Sequence, residues 1–186
     1  GSFLHDPNVD GIRYLKDNVW PLIRKKLPDV EMHIYGSYPT SKIEQLTNLT
    51  EGFIIKGWAD DVKNVMSKAR VCLSPLRFGA GLKGKFIDAM RTGTPSVTTQ
   101  IGSEGMPQGD NWPGFISDSP NELANKAVLL YSKKEIWREK QSIGIRVLST
   151  EFSKEENQQK FKEKLFSLKA GLAKHRSKNI IGKMLR

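Results

Sequence analysis

The chain has 186 residues, a formal net charge of +10, 38% hydrophobic and 27% charged residues. That length can bury a real core in one domain, or in one domain and a tail, and the ordinary composition excludes a disordered or fibrous chain. The single cysteine, Cys72, excludes a disulfide framework, no apolar run approaches the ~20 residues that span a bilayer, and the charge suits nucleotides, nucleic acid or an anionic membrane surface.

Residues 1–8, GSFLHDPN, read as the loop after a strand that the sequence does not contain, although Gly1-Ser2 would equally suit a cloning scar. No secretory leader is expected ahead of the first helix. Asp6-Pro7 form a good cap and first turn for that helix. Ile12, Leu15, Val19, Leu22, Ile23 and Leu27 recur at helical spacing, and Pro21, which has no N–H to donate, is predicted to split the helix near residues 18–20. EMHIY at 31–35 is a strand ending at the sharp turn Gly36-Ser37, so His33 reads as a sheet residue rather than a catalyst. Residues 41–49 make a weak helix. A strand at 53–56 closes on Gly57-Trp58, and Asp60-Asp61 then open a helix through Ala69 with acids at its positive end.

The most informative stretch is 71–99, VCLSPLRFGAGLKGKFIDAMRTGTPSVTT. An apolar strand, in which Cys72 reads as a buried and inert thiol, leads into a loop holding Gly79, Gly81 and Gly84. A helical pattern follows at 82–91, closed by Gly93, and then a strand at 96–99. Lys83 and Lys85 sit at the positive end of the helix dipole, where carboxylates are normally favoured, and Arg77 lies just upstream. Cations gathered on a glycine-rich helix start repel one another unless an anion sits among them, so the stretch reads as a phosphate or pyrophosphate seat. Its alternative is a glycine-rich surface loop with solvated lysines. The glycines match G-x-G-x-x-G, with Glu104 downstream as a ribose ligand, yet several elements precede the loop and it is too long for the dinucleotide turn. They also match G-x-x-x-x-G-K, but Phe86 stands where a P-loop has a magnesium-binding hydroxyl.

Beyond this unit, 115–116 is a brief strand and 121–131 and 135–148 are helices. Short apolar strands alternating with helices predict an α/β fold, a Rossmann-like three-layer parallel sheet with helices on both faces. In such sheets the loops at Gly36-Ser37, Gly57-Trp58, 75–81 and 102–106 share the carboxyl edge of the strands, where ligands bind. Trp58 there suits either flanking a base or covering the rim of the core. The expected division is a Rossmann-like domain at 1–152 and a helix with a basic tail at 153–186, marked by Phe152, Phe161, Leu165, Phe166 and Leu168. A basic run of this kind is usually a solvated, frayed end; the other reading is docking onto anionic lipid with Ile180, Ile181, Met184 and Leu185 as an apolar contact.

GSFLHDPNVDGIRYL with WPLIRKKLPD, then KGWADDV, PLRFGAGLKGKFIDAMRTGTPSVTT and IGSEGM together resemble the carboxyl-terminal, donor-binding half of a GT-B glycosyltransferase of the family 4-like group, glycosyl transferases group 1. The third segment is the specific one, and the resemblance runs to about Phe152. It implies a nucleotide diphosphate sugar as donor, transfer with retention to an acceptor held by an amino-terminal half that this chain lacks, no cofactor and no metal. Arg77, Gly79, Gly81, Lys83 and Lys85 then match diphosphate-binding positions, Asp88 the ribose-binding carboxylate, Gly57 and Trp58 the base site, and Glu104 a contact to the sugar. No catalytic residue is singled out. The commonest motif carries two glutamates eight positions apart, and here those positions are Ala80 and Asp88. The implied setting is cytoplasmic, peripheral to the inner membrane face if the tail docks, without nucleic acid, and the fragment alone is expected to be inactive. Two other classes stay open: a non-catalytic basic α/β module binding nucleic acid or anionic membrane, and a nicotinamide-dependent oxidoreductase, which the glycine placement disfavours.

Overall fold

The computed structural model describes residues 1–172 and Arg176. It divides into two compact units, Gly1–Leu148 and Ser149–Arg186.

The first unit opens with helix α1 (Asp6–Tyr14), a π-helical stretch at Leu15–Val19 and helix α2 (Trp20–Arg24). The predicted split is real. Pro21 cannot supply its N–H to the ladder, so the preceding turn widens and Trp20 N–H donates back to the Leu15 carbonyl. The break turns Leu15, Val19, Trp20 and Ile23 into one buried surface, and the Trp20 indole donates to the Glu51 carbonyl at 2.8 Å while its ring meets Phe53 edge-on.

Strands β1 (Met32–Tyr35) and β2 (Phe53–Gly57) pair in parallel. Between them helix α3 covers only Ser41–Glu44, shorter than the expected 41–49, because Asn48 leaves the helix to make an antiparallel bridge to Phe53. His33 lies in the sheet with its ring on Glu31, 2.7 Å away. Helix α4 (Val62–Lys68) is capped by Asp61, whose carboxylate accepts from the N–H groups of Lys63 and Asn64.

Strands β3 (Cys72–Ser74), β4 (Ser96–Thr98) and β5 (Gly114–Ile116) form a second parallel ladder in that order. Helix α5 (Gly84–Arg91) joins β3 to β4, starting two residues later than the pattern at 82–91 because Lys83 is still extended at φ −99°, ψ 95°. Phe86, Ala89 and Met90, at i, i+3 and i+4, form its buried face, and Phe86 stands edge-on to Trp112 at 5.2 Å between ring centres. Gly93 at φ +71° ends α5, with Gly93 N–H on the Met90 carbonyl and Thr94 N–H on that of Ala89. Helices α6 (Gln100–Ser103), α7 (Pro120–Ser132) and α8 (Lys134–Glu151) follow. All of β4 is buried on both faces, as the middle of a helix-covered parallel sheet requires.

The α/β class, the parallel strands and the helices on both sides are as the sequence predicts. One feature differs. The strands make two ladders rather than one sheet, because no described strand bridges β1 and β3. Cys72 is buried and free, as expected.

In the second unit, helix α9 (Lys154–Ala170) starts on Ser153, which accepts from Glu156 N–H at 3.3 Å, while Phe152 precedes the helix. None of its residues is buried, and Phe161, Leu165, Phe166 and Leu168 are exposed. The expected lipid contact of Ile180, Ile181, Met184 and Leu185 falls outside the described residues. Among the described residues no helix is long and apolar enough to cross a membrane.

Candidate functional site

Because the strands within each ladder are parallel, the turns after β1 and β2 emerge at one edge of the first ladder and those after β3 and β4 at one edge of the second, and the loop between β3 and α5 is the longest of the four. Gly79 (φ +124°) and Gly81 (φ +75°) bend that loop through conformations that side chains disfavour. A Cβ at Gly81 or Gly84 would meet nothing within 4 Å, so the backbone at the start of α5 is open to anything approaching it. No side chain caps this helix. Leu82 lies against Gly105, which brings the β3–α5 loop beside the turn after α6.

The lysines behave as a pair with different surroundings. Lys83 is only 8% exposed, and its Nζ has no hydrogen-bond partner; the nearest carboxylate oxygen, Glu104 Oε2, is 3.6 Å away on a side chain that is itself exposed. A buried ammonium without an acceptor is costly, and it marks a place where an anion would be welcome. Lys85 turns inward instead, donating to Asn8 Oδ1 at 3.0 Å and Ser74 Oγ at 3.3 Å. Burial, with repulsion from Lys83 acting in the same direction, holds its pKa below the usual lysine range. Asn8 is the partner that sequence reading missed. It lies 77 residues from Lys85 and carries no local signal beyond its place in the first turn of α1.

Arg77 stands apart from that pair. Its guanidinium grips both Asp10 carboxylate oxygens and lies over the Tyr14 ring, 5.0 Å from the centre. Asp88, one turn beyond Lys85, is 3.5 Å from Arg91. Trp58 is exposed, with its indole N–H on Asp60 at 2.9 Å, next to Gly57 at φ +72°. Lys83, Lys85, Glu104, Gly81 and Gly84 are thus gathered at the start of α5, whereas Arg77 is tied to α1. Ala80 is exposed on the same loop.

The Asp10–Arg77 pair sets an acid limit. The hydrogen bond from Arg77 is the main cause of a lowered Asp10 pKa, so the pair's contribution is whole above the unfolded value of about 4 and disappears as pH falls through the folded one. Urea midpoints of the wild type and Asp10→Asn are expected to differ at pH 7 and to converge as pH falls through the lowered folded value, with only a small gap because Arg77 is exposed. Parallel pH curves would dismiss the pair as a contributor.

A family model described as Glycosyl transferases group 1 matches residues 1–133. The chain belongs to that family. This group 1 chain is 28% identical over 141 residues to an uncharacterized 44.6 kDa protein in the cps region of Klebsiella pneumoniae, covering 72% of this chain and 36% of that protein. Its fold is similar to that of S. aureus TarM, in a variant bound to fondaparinux, alpha-GlcNAc-glycerol and UDP, with a TM-score of 0.72 at 20% identity over 88% of this chain and 34% of TarM. It is also similar to the pneumococcal O-GlcNAc transferase GtfA in complex with UDP and GlcNAc (TM-score 0.66, 19% identity, 84% of this chain and 33% of GtfA). A third similar structure is the C-terminal domain of a glycosyl transferase group 1 family protein, LpcC, from Francisella tularensis (TM-score 0.61, 15% identity, 81% of this chain and 82% of that domain). The group 1 chain therefore has the fold of one half of a GT-B enzyme and spans about a third of the length of its longer relatives.

Proposed function

We propose that this chain is the donor-binding half of a glycosyltransferase, holding a nucleoside diphosphate sugar while an acceptor bound by a second half attacks it. The observation that carries the reading is the buried, unpartnered Lys83 ammonium beside the open, uncapped start of α5. As the bond from sugar to phosphate lengthens, negative charge grows on the departing diphosphate. The Lys83 and Lys85 ammonium groups and the first N–H groups of α5 neutralise it in place, the task that a metal ion has in other transferases. Gly79 and Gly81 let the phosphates approach the backbone, and Arg77 joins them if it leaves Asp10. Asp88 accepts from the ribose hydroxyls, Gly57 and Trp58 border the base, and Glu104 contacts the sugar. Transfer occurs with retention and without a cofactor, in the cytoplasm, and the chain alone is inactive.

The neighbours TarM and GtfA were solved with UDP, which makes uridine the first base to try. Titration calorimetry in a magnesium-free buffer is expected to show saturable binding of UDP or GDP and their sugars, at least about tenfold tighter than inorganic phosphate. Equal affinity for free phosphate and both diphosphates would end the reading, because a base and ribose site would then add nothing.

A further inference from the structure

The first two turns of α1 run alongside the β3–α5 loop. A Cβ at Gly79 would lie 3.4 Å from Pro7, Asp10 holds Arg77, and a Cβ at Gly11 would lie 3.2 Å from Leu76. Pro7, Asp10 and Gly11, at i, i+3 and i+4, share one face of the helix. Asn8 borders that face and reaches Lys85 in the first turn of α5.

The Asn8 amide is fixed at both ends. Its Nδ2 donates to the Ser2 carbonyl at 2.9 Å, which leaves Oδ1 as the end that meets the Lys85 ammonium at 3.0 Å. The second acceptor, Ser74 Oγ at 3.3 Å, stands at the end of β3. Both acceptors are neutral. Among the described residues Lys85 forms no ion pair. The charged and titratable groups that act on it are Lys83 at the head of its own helix, the Cys72 thiol of β3 and the Gly1 ammonium, none of them a carboxylate.

The choice of partner has an electrostatic consequence. A carboxylate at the place of the Asn8 amide would accept the same hydrogen bond more strongly, but it would also cancel the ammonium charge. An amide oxygen orients the ammonium and leaves its charge to act on whatever comes beside it. Lys83 is uncompensated by any hydrogen bond as well, so the two lysines add their field to that of the uncapped start of α5.

We infer, on the donor-binding reading above, that Asn8 is a positioning residue of the anion site: its amide oxygen holds the Lys85 ammonium in place from α1 without neutralising it, which keeps that charge for a diphosphate. Asn8 acts through Lys85 and needs no contact with the ligand itself.

The test titrates UDP into the wild-type full chain, Asn8→Asp, Asn8→Ala and, as a control for added negative charge, a variant at the exposed Asn18, Asn18→Asp, from about pH 7 to about pH 10. At neutral pH Asn8→Asp is expected to bind UDP about tenfold more weakly or worse, because the new carboxylate pairs with Lys85 and repels the phosphates. Asn8→Ala, which leaves the charge but loosens its placement, is expected to lose about threefold or more, and Asn18→Asp to match the wild type. Burial holds the Lys85 pKa below the usual lysine range, so wild-type affinity is expected to decline toward alkaline pH. That decline moves to higher pH in Asn8→Asp, where a negative partner favours the ammonium, and to lower pH in Asn8→Ala, where an acceptor is lost. The titration of UDP itself is common to all four proteins, so the differences between them report on Lys85. Unchanged affinity in both Asn8 variants, or weaker binding with the alkaline decline unmoved, would overturn the inference and make Asn8 only a tie between α1 and α5. A wild type that does not prefer UDP to inorganic phosphate would instead end the donor-binding reading, and the role of Asn8 with it.

Discussion

Lys83→Met is expected to weaken nucleoside diphosphate binding while making the empty protein more stable. The two effects share one cause. The Lys83 ammonium is buried without an acceptor, and the exposed Glu104 carboxylate at 3.6 Å compensates it weakly because solvent screens that side. Leaving a buried polar group unsatisfied costs about 1–3 kcal/mol, which Met, of similar length and no charge, avoids. In the complex the balance reverses. Removing one partner of a desolvated ion pair with phosphate costs about 2–3 kcal/mol, or roughly 30- to 150-fold in affinity. Calorimetry with UDP and urea unfolding of the empty protein read the two sides separately. A variant with full affinity would remove Lys83 from the site, and one that is less stable when empty would show that Glu104 satisfies the ammonium after all. The stability gain is the more telling readout, since a purely structural lysine would lose on both counts.

Much of this arrangement was legible because it depends on neighbours in sequence. Val71 to Ser74, the glycines after it, the apolar spacing of Phe86, Ala89 and Met90, and Gly93 at the helix end are local signals, and each maps onto the strand, loop, helix and cap observed. Pro21 likewise announced its break. What stayed hidden depends on partners far along the chain. Nothing around Arg77 reveals that Asp10, 67 residues away, occupies its guanidinium, nor around Lys85 that Asn8 and Ser74 draw it inward. Composition also presents every lysine as a surface residue, so the burial of Lys83 could not be foreseen.

Gly114→Ala is expected to be the most damaging single change in the scaffold beneath the site. Gly114 opens β5 at φ +152°, and an added Cβ there would overlap the Ser96 carbonyl, which is backbone and cannot swing away. Ser96 is fixed from both sides, by its N–H on the Pro113 carbonyl at 2.8 Å and by the Trp112 indole donating to its own carbonyl at 3.2 Å. Relief therefore requires β5 to move off β4, breaking the ladder from which the α6 turn and Glu104 project. Backbone strain and lost packing of Trp112 on Phe86 add to about 4 kcal/mol or more, a large fraction of the 5–15 kcal/mol that holds a domain together. Gly109→Ala separates the causes. Gly109 also has a positive φ, +62°, but a Cβ there meets nothing within 4 Å, so only the conformational cost of about 1 kcal/mol is expected. Urea unfolding of the two variants should differ by about 3 kcal/mol; similar midpoints would mean that β5 yields easily, and that the glycine loop and Glu104 do not rest on a rigid β4–β5 pair.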